Sequence, residues 1–426
     1  MVNSKHPISV RIGKLRESYR QYQYRSLIRT LDELEQIVNA GEKSDLDVPD
    51  LIVEIEMAEQ LAEIYVDYRA DKYSADEATE KLKAFIGHHP DYADAHDLLG
   101  AIAMSSRHYA AARKAHGAAL CLRQEKYGST HPRVAASINH LGDLARAEGK
   151  HDEAEKYYKD SLTMWEGTLG KEHADIAIGL MNLADLYREL HRYDEAINVL
   201  HRALAMNEKL LGTSHPDLAW TLSGLGQAYL HGGFKDKARE AYERAVVITE
   251  SKNGMDASLL IPLLIELAKI YRVTDEKGRA ENHYKRAVEI SEKTFGADHP
   301  HINTSLLRLA EFYFNERRYE EAERVYKRII EIENAARGSD SLGAGRRMMD
   351  LAEVYYIQGR YQEAEGMYLK ALPIIETCLG RGHSVMIGAL ENMRDLYKKW
   401  GRIKEADVFQ VRLDEMKAMS NAKSAE

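Results

Sequence analysis

Residues 170–211 read GKEHADIAIGLMNLADLYRELHRYDEAINVLHRALAMNEKLL, and at Gly212 the phrase begins again. The glycine recurs every 42 positions, at Gly128, Gly170, Gly212, Gly254, Gly296, Gly338 and Gly380. Thirteen residues after each stands Leu141, Leu183, Leu225, Leu267, Leu309, Leu351 or Met393. Thirteen further on there is always an alanine: Ala154, Ala196, Ala238, Ala280, Ala322, Ala364 and Ala406. Three positions kept in phase through seven copies mark a solenoid of stacked repeats.

Each copy reads as two helices. Glycine ends one helix and proline opens the next, as in Gly212-Thr-Ser-His215-Pro216. Helix A carries Leu222, Leu225, Ala228 and Tyr229 as an apolar stripe, and helix B carries Ala238, Tyr242, Ala245 and Val246. The recurring alanine implies a crossing of the two helices where only a small side chain fits. The loop histidines read as turn and capping residues.

The 42-residue unit, with its Leu-Gly-x-x-His-Pro loop, resembles the tetratricopeptide repeat (TPR), in particular the kinesin-light-chain type. His-Pro stands at His131-Pro132, His215-Pro216 and His299-Pro300. His173-Ala174 and His383-Ser384 lack the proline, and Ala257-Ser258 and Ser341-Leu342 lack both residues. The resemblance covers roughly residues 90–418. It implies an all-α fold, a right-handed superhelical solenoid of stacked antiparallel helix pairs.

Four segments are expected. Residues 1–50 form an N-terminal helical region. Its first 30 residues hold Lys5, Arg11, Lys14, Arg16, Arg20, Arg25 and Arg29 against Glu17, and the sign reverses from Asp32 onward. Residues 51–126 form two hairpins of shorter period, since Ala78 to Ala112 spans 34 residues and Ala112 to Ala154 spans 42. Residues 127–418 hold seven 42-residue repeats, the last more polar, as a terminal cap requires. Residues 419–426 are expected to be a disordered tail. The Gly/Ser/Ala-rich stretch 334–346 is expected to delay a helix start, as a loosened loop or a hinge. Pro262 and Pro373 fall inside helical stretches and predict kinks.

Composition narrows the function. A net charge of −9 with pI near 6.1 argues against nucleic acid as the main partner. Cys121 and Cys378 form no C-x-x-C pair and read as small buried apolar residues in a reducing compartment. The N-terminal 20 residues hold no apolar h-region, and no apolar run is long enough to insert in a membrane. A cytoplasmic protein is expected. Gly343-Ala-Gly345 lacks the context of a dinucleotide site. His88-His89 and His299-Pro-His301 lack a convincing ligand set, so no metal, cofactor or catalytic site is expected.

TPR resemblance places helix A on the concave side and names the inward slots around the anchor leucine. They hold Asn139, Asp143 and Arg146 in the first 42-residue repeat, with His140 beside them. Asn182, Asp185 and Arg188 follow in the second, and Gln227 in the third, with Trp220 one turn ahead of Ser223. Lys269 and Arg272, then Arg308, Glu311 and Asn315, then Glu353 and Tyr356, and finally Asn392 continue the row. Kinesin-light-chain repeats commonly carry paired asparagines before the anchor; here the pair is partial. An amide both donates and accepts, which suits an extended peptide backbone. The Asp-x-x-Arg doublets (Asp143/Arg146 and Asp185/Arg188) either contact a ligand or pair with one another along the row.

The implied function is a non-enzymatic scaffold or adaptor that binds a protein or peptide in the groove. A second class resembles the bacterial Rap-type sensors, in which N-terminal helices dock an effector and a peptide tightens the array. A third is self-association through the N-terminal region.

Overall fold

The computed structural model describes residues 48–69, 72–251, 259–380 and 383–423. The helix expected over residues 9–40, its two charge blocks, Gly254 and Ala257-Ser258 lie outside the described residues. Among those described there are eighteen α-helices, one 3-10 turn and no strand. They fall into two compact units, Met1–Gly232 and Gly233–Glu426.

In the first unit α1 (Val48–Arg69) packs on α2 (Ala75–His88), and α3 (Ala93–Ser105) on α4 (Tyr109–Tyr127). Next, α5 (Pro132–Ala147) packs on α6 (His151–Leu169) and α7 (Ala174–Glu189) on α8 (Tyr193–Leu211), while α9 (Leu218–His231) lies against α7 and α8. In the second unit α10 (Lys235–Glu250) lies against α11 (Leu260–Val273), which pairs with α12 (Lys277–Phe295). The 3-10 turn Pro300–Ile302 leads into α13 (Asn303–Asn315), which pairs with α14 (Tyr319–Arg337). The pairs α15 (Leu342–Ile357) with α16 (Tyr361–Leu379), and α17 (Ser384–Trp400) with α18 (Ile403–Lys423), complete it.

The crossings are as tight as the sequence requires. All seven repeat alanines, Ala154 to Ala406, have no exposed surface, and all seven anchor residues are buried. At Gly142, beside the first anchor, an added Cβ would stand 2.7 Å from the Tyr158 ring. The loops are capped by the histidines. Nδ1 of His131, His173, His299 and His383 accepts the backbone N–H two residues ahead at 3.2 Å, and Nδ1 of His215 does so at 3.3 Å. This satisfies one of the orphan donors of the first helical turn. Between helices A and B the chain needs one left-handed residue. Gly149, Gly233, Gly359 and Gly401 supply it, whereas His191, Asp275 and Arg317 adopt it at φ 58–64°.

Adjacent repeats are clamped by an ion pair that recurs at the same spacing. In the contact of α6 with α7, Tyr187 Oη donates to Glu155 Oε1 at 3.1 Å and Arg192 Nη1 to Glu155 Oε2 at 2.6 Å. The Arg192 guanidinium also lies 4.3 Å over the Tyr187 ring. Tyr313, Glu281 and Arg318 repeat the arrangement, as do Tyr355, Glu323 and Arg360, and Tyr397, Glu365 and Arg402. One junction has the charges reversed: Arg239 Nη1 reaches Glu276 at 3.4 Å, and Tyr271 turns to Glu243. At one set of equivalent positions Ile197 and Phe234 carry no charge, and Tyr229 Oη meets His201 Nε2 at 2.6 Å.

Several expectations are corrected. The stretch 334–346 is no loosened loop: α14 runs to Arg337, Gly338 ends it, and α15 starts in register at Leu342 with Ser341 as its cap. Gly343 is required there because a Cβ would stand 2.6 Å from the buried Glu333 carboxylate. Pro262 lies in the first turn of α11, where its missing N–H has no partner to lose. Pro373 does sit inside α16, and the helix runs through it to Leu379, with Pro373 on the exposed face. Both cysteines are exposed, because their helix B positions point away from the packed face. The last helix extends to Lys423, into the segment expected as a tail.

Replacing Ala322 with leucine should destabilise the protein by about 1–3 kcal/mol, through overpacking at the crossing. The same change at exposed Ala335 should leave the urea midpoint nearly unmoved. The clamp makes a pH prediction. Burial opposes ionisation of Glu323, but Arg360, Lys327 and Tyr355 outweigh it and hold its carboxyl at about 2. The folded form then stays ionised where the unfolded chain takes up a proton. The stabilisation is complete above the ordinary glutamate value of about 4.3 and is lost as pH falls toward 2. Glu323→Gln should cost about 1–2 kcal/mol near neutrality. Urea titrations across pH should show that difference shrinking steadily on acidification.

Candidate functional site

The helix A face is built from residues that flank the buried anchors. In the first unit α5, α7 and α9 are successive helices A and touch one another in turn. Arg188 Nη1 donates to Asp185 Oδ1 at 2.8 Å within α7. From α5, Arg146 Nη1 reaches Asp185 Oδ2 at 3.6 Å and Glu189 Oε1 at 3.7 Å. The doublets therefore do pair along the row. Asp143 is engaged from below, where Tyr158 Oη donates to it at 2.7 Å. Burial raises the Asp143 carboxyl above its usual range, against the pull of His140, Tyr158 and Arg146.

In the second unit the charges are also matched. Lys269 pairs with Glu266 at 2.6 Å, Arg308 with Glu311 at 2.8 Å, and Arg347 with Asp350 at 3.1 Å. Asn315 Nδ2 donates to the Glu311 carbonyl at 2.7 Å. Burial pushes Asp350 up to about 6, with Arg347 opposing and Glu353 and Glu311 reinforcing the shift. Tyr284, buried beneath Arg272 and Glu266, is pushed up to about 12. Arg272 and Tyr356 are half-buried, and Glu353 and Asn392 are exposed.

Asn139 is corrected. Only 4% of it is exposed, so its amide faces the packed interior.

In the first unit three expected residues remain open. Asn182 on α7 and Gln227 on α9 are half-buried, and neither side-chain amide has a hydrogen-bond partner among the described residues. Trp220, two turns earlier on α9, is 40% exposed. Together they offer two amides that donate and accept beside an aromatic surface, flanked by the Arg146–Asp185–Arg188 ladder. The recurring Tyr–Glu–Arg clamp escaped the sequence reading. Its signal was present in the 42-residue recurrence of Glu281, Glu323 and Glu365 with Arg318, Arg360 and Arg402.

Among the described residues no helix is long and apolar enough to cross a membrane. No curated protein matches the chain. Among solved structures, the apo form of the quorum sensor NprR from B. thuringiensis aligns over 95% of this chain and 97% of its own, at 13% identity and a TM-score of 0.51. BtubC (BKLC) from P. vanneervenii aligns over 55% of this chain and 90% of its own, at 22% identity and a TM-score of 0.45. A Podosopora anserina putative kinesin light chain with nearly identical TPR-like repeats aligns over 48% of this chain and 98% of its own, at 22% identity and a TM-score of 0.42. At these identities the likeness speaks to the fold alone. A tetratricopeptide-repeat model matches residues 91–167, 175–251 and 301–377, and a second one matches 263–301. With more than half its residues in such matches, the chain belongs to the tetratricopeptide-repeat family of protein–protein interaction modules.

Proposed function

We propose that the protein is a non-enzymatic scaffold that binds an extended segment of a partner protein along the helix A face of its first unit. The observation that carries this is the pair of unpartnered amides, Asn182 and Gln227, on neighbouring helices beside exposed Trp220. An extended peptide presents alternating N–H and C=O groups, and a side-chain amide serves either. Trp220 suits an apolar side chain of that peptide, as aromatic anchors at interfaces do. The ladder of Arg146, Asp185 and Arg188 favours a segment of mixed rather than single-sign charge, because its own charges are already matched. Each contact contributes about 0.5–1.5 kcal/mol, so affinity comes from several repeats acting together.

A peptide-responsive regulatory array of the Rap type, docking an effector with its N-terminal helices, is the second reading. The division into two units at Gly232–Gly233 favours it. Bound peptide would then compact the particle in small-angle scattering, whereas a fixed scaffold would keep its profile. Self-association is the third: mass would rise with concentration and fall on deletion of residues 1–50.

The test of the leading reading compares pull-downs by the wild type and by an Asn182→Ala, Arg188→Ala, Gln227→Ala triple variant, with helicity checked by circular dichroism. The triple variant should lose at least about tenfold in affinity for the captured partner, as the loss of two to three such contacts implies. Undiminished capture by a folded triple variant would move the site elsewhere. Capture that instead disappears on deleting residues 1–50 would place it in the N-terminal region.

A further inference from the structure

Where the short-period pair α3/α4 meets α5, the structure buries a polar cluster that the repeat architecture does not need. Asp97 on α3 is 1% exposed and His116 on α4 is 3% exposed. His140 on α5 joins them, its side chain 26% exposed. His116 Nδ1 lies 3.0 Å from Asp97 Oδ1, and His140 Nδ1 lies 3.3 Å from Asp97 Oδ2. One donor atom from each of the three lies within 4.8 Å of the others. His116 Nε2 is buried against Gly100 without a partner, and His140 Nδ1, also buried, has the 3.3 Å approach to Asp97 Oδ2 in place of a well-formed hydrogen bond.

Asp97 is held in place. Arg123 Nη1 donates to Asp97 Oδ2 at 2.5 Å and to Ser137 Oγ at 2.5 Å, and its Nη2 bonds Asp94.

We propose that Asp97, His116 and His140 form a zinc site that pins α3 and α4 to α5. Two imidazoles and a carboxylate are a borderline N/O donor set of the kind zinc takes. With metal–ligand distances of about 2.0–2.2 Å, donors on one tetrahedral ion stand roughly 3.0–3.5 Å apart. The separations of 3.0 and 3.3 Å to Asp97 meet that condition. The metal takes the place of the proton between His116 and Asp97. Arg123 serves as the outer partner that orients the carboxylate, a role common around metal ligands. The partly exposed His140 is the side from which an ion enters, and the fourth position opens there to water.

The test uses the full chain stripped with EDTA. Calorimetric titration with zinc chloride should show one ion per chain and a raised melting temperature, with magnesium chloride inert. Cobalt should give the intense visible bands of a tetrahedral ion. His140→Gln, a change at the exposed edge, should weaken zinc binding at least about tenfold, since it removes one of three ligands. His301→Gln, which breaks up the surface pair of His299 and His301 (ring centroids 4.7 Å apart), should bind as the wild type does. No stoichiometric binding by the wild type would overturn the proposal and leave the cluster a hydrogen-bonded ion pair. Zinc retained by folded His140→Gln, or lost in His301→Gln, would overturn it in favour of an adventitious surface site. If His140→Gln fails to fold, the cobalt spectrum of the wild type decides alone: absent tetrahedral bands overturn the proposal.

Discussion

The close crossing of two helices over an alanine sets the spacing on which everything else depends. Ala154 and its six equivalents have no exposed surface, and within each unit so small a side chain lets paired helices lie close. That brings the larger anchors and tyrosines into register with the next pair. The periodic placement then lets one chemical solution be reused. In five repeats the same histidine accepts the amide two residues ahead as the chain enters helix A, and the same tyrosine, glutamate and arginine clamp four junctions.

The clamps and the helix A ladder divide the charged residues between them. Arginines at the turn between helices hold the neighbouring repeat through a glutamate that is only 13–20% exposed. Half-buried pairs of this kind contribute more than exposed ones, because solvent screens them less. Most charges on the helix A face are satisfied inside the chain as well. What remains unpaired on that face of the first unit is neutral: the amides of Asn182 and Gln227 and the indole of Trp220.

Local features of the chain were legible in proportion to how local their physics is. A histidine that caps the amide two residues ahead can be read from a loop motif. The burial of Leu225 or Ala238 follows from helical spacing. The stretch 334–346 misled because its glycines and serines look like a flexible connector. Two of them have specific duties: Ser341 caps α15, and Gly343 makes room for the carboxylate of Glu333, ten residues back. Pro262 misled by a boundary, since a helix starting at Leu260 tolerates proline in its first turn. Asn139, two residues before its anchor Leu141, is buried, whereas Asn182, one before its anchor Leu183, is half-open.

By itself the sequence determined the repeat, its two helices, their buried faces and their caps, because each follows from spacing within one or two turns of helix. The TPR resemblance supplied the expected residues of the helix A face, of which Asn139 is buried. Only the tertiary structure decided which of those residues are free. Arg146 and Asp185, 39 positions apart, meet because successive helices A lie side by side. Asp97, His116 and His140 come from three helices of two repeats with different periods, so no single spacing marks them. Contacts of that kind depend on how one repeat is rotated onto the next, and that rotation is set by packing across the whole interface.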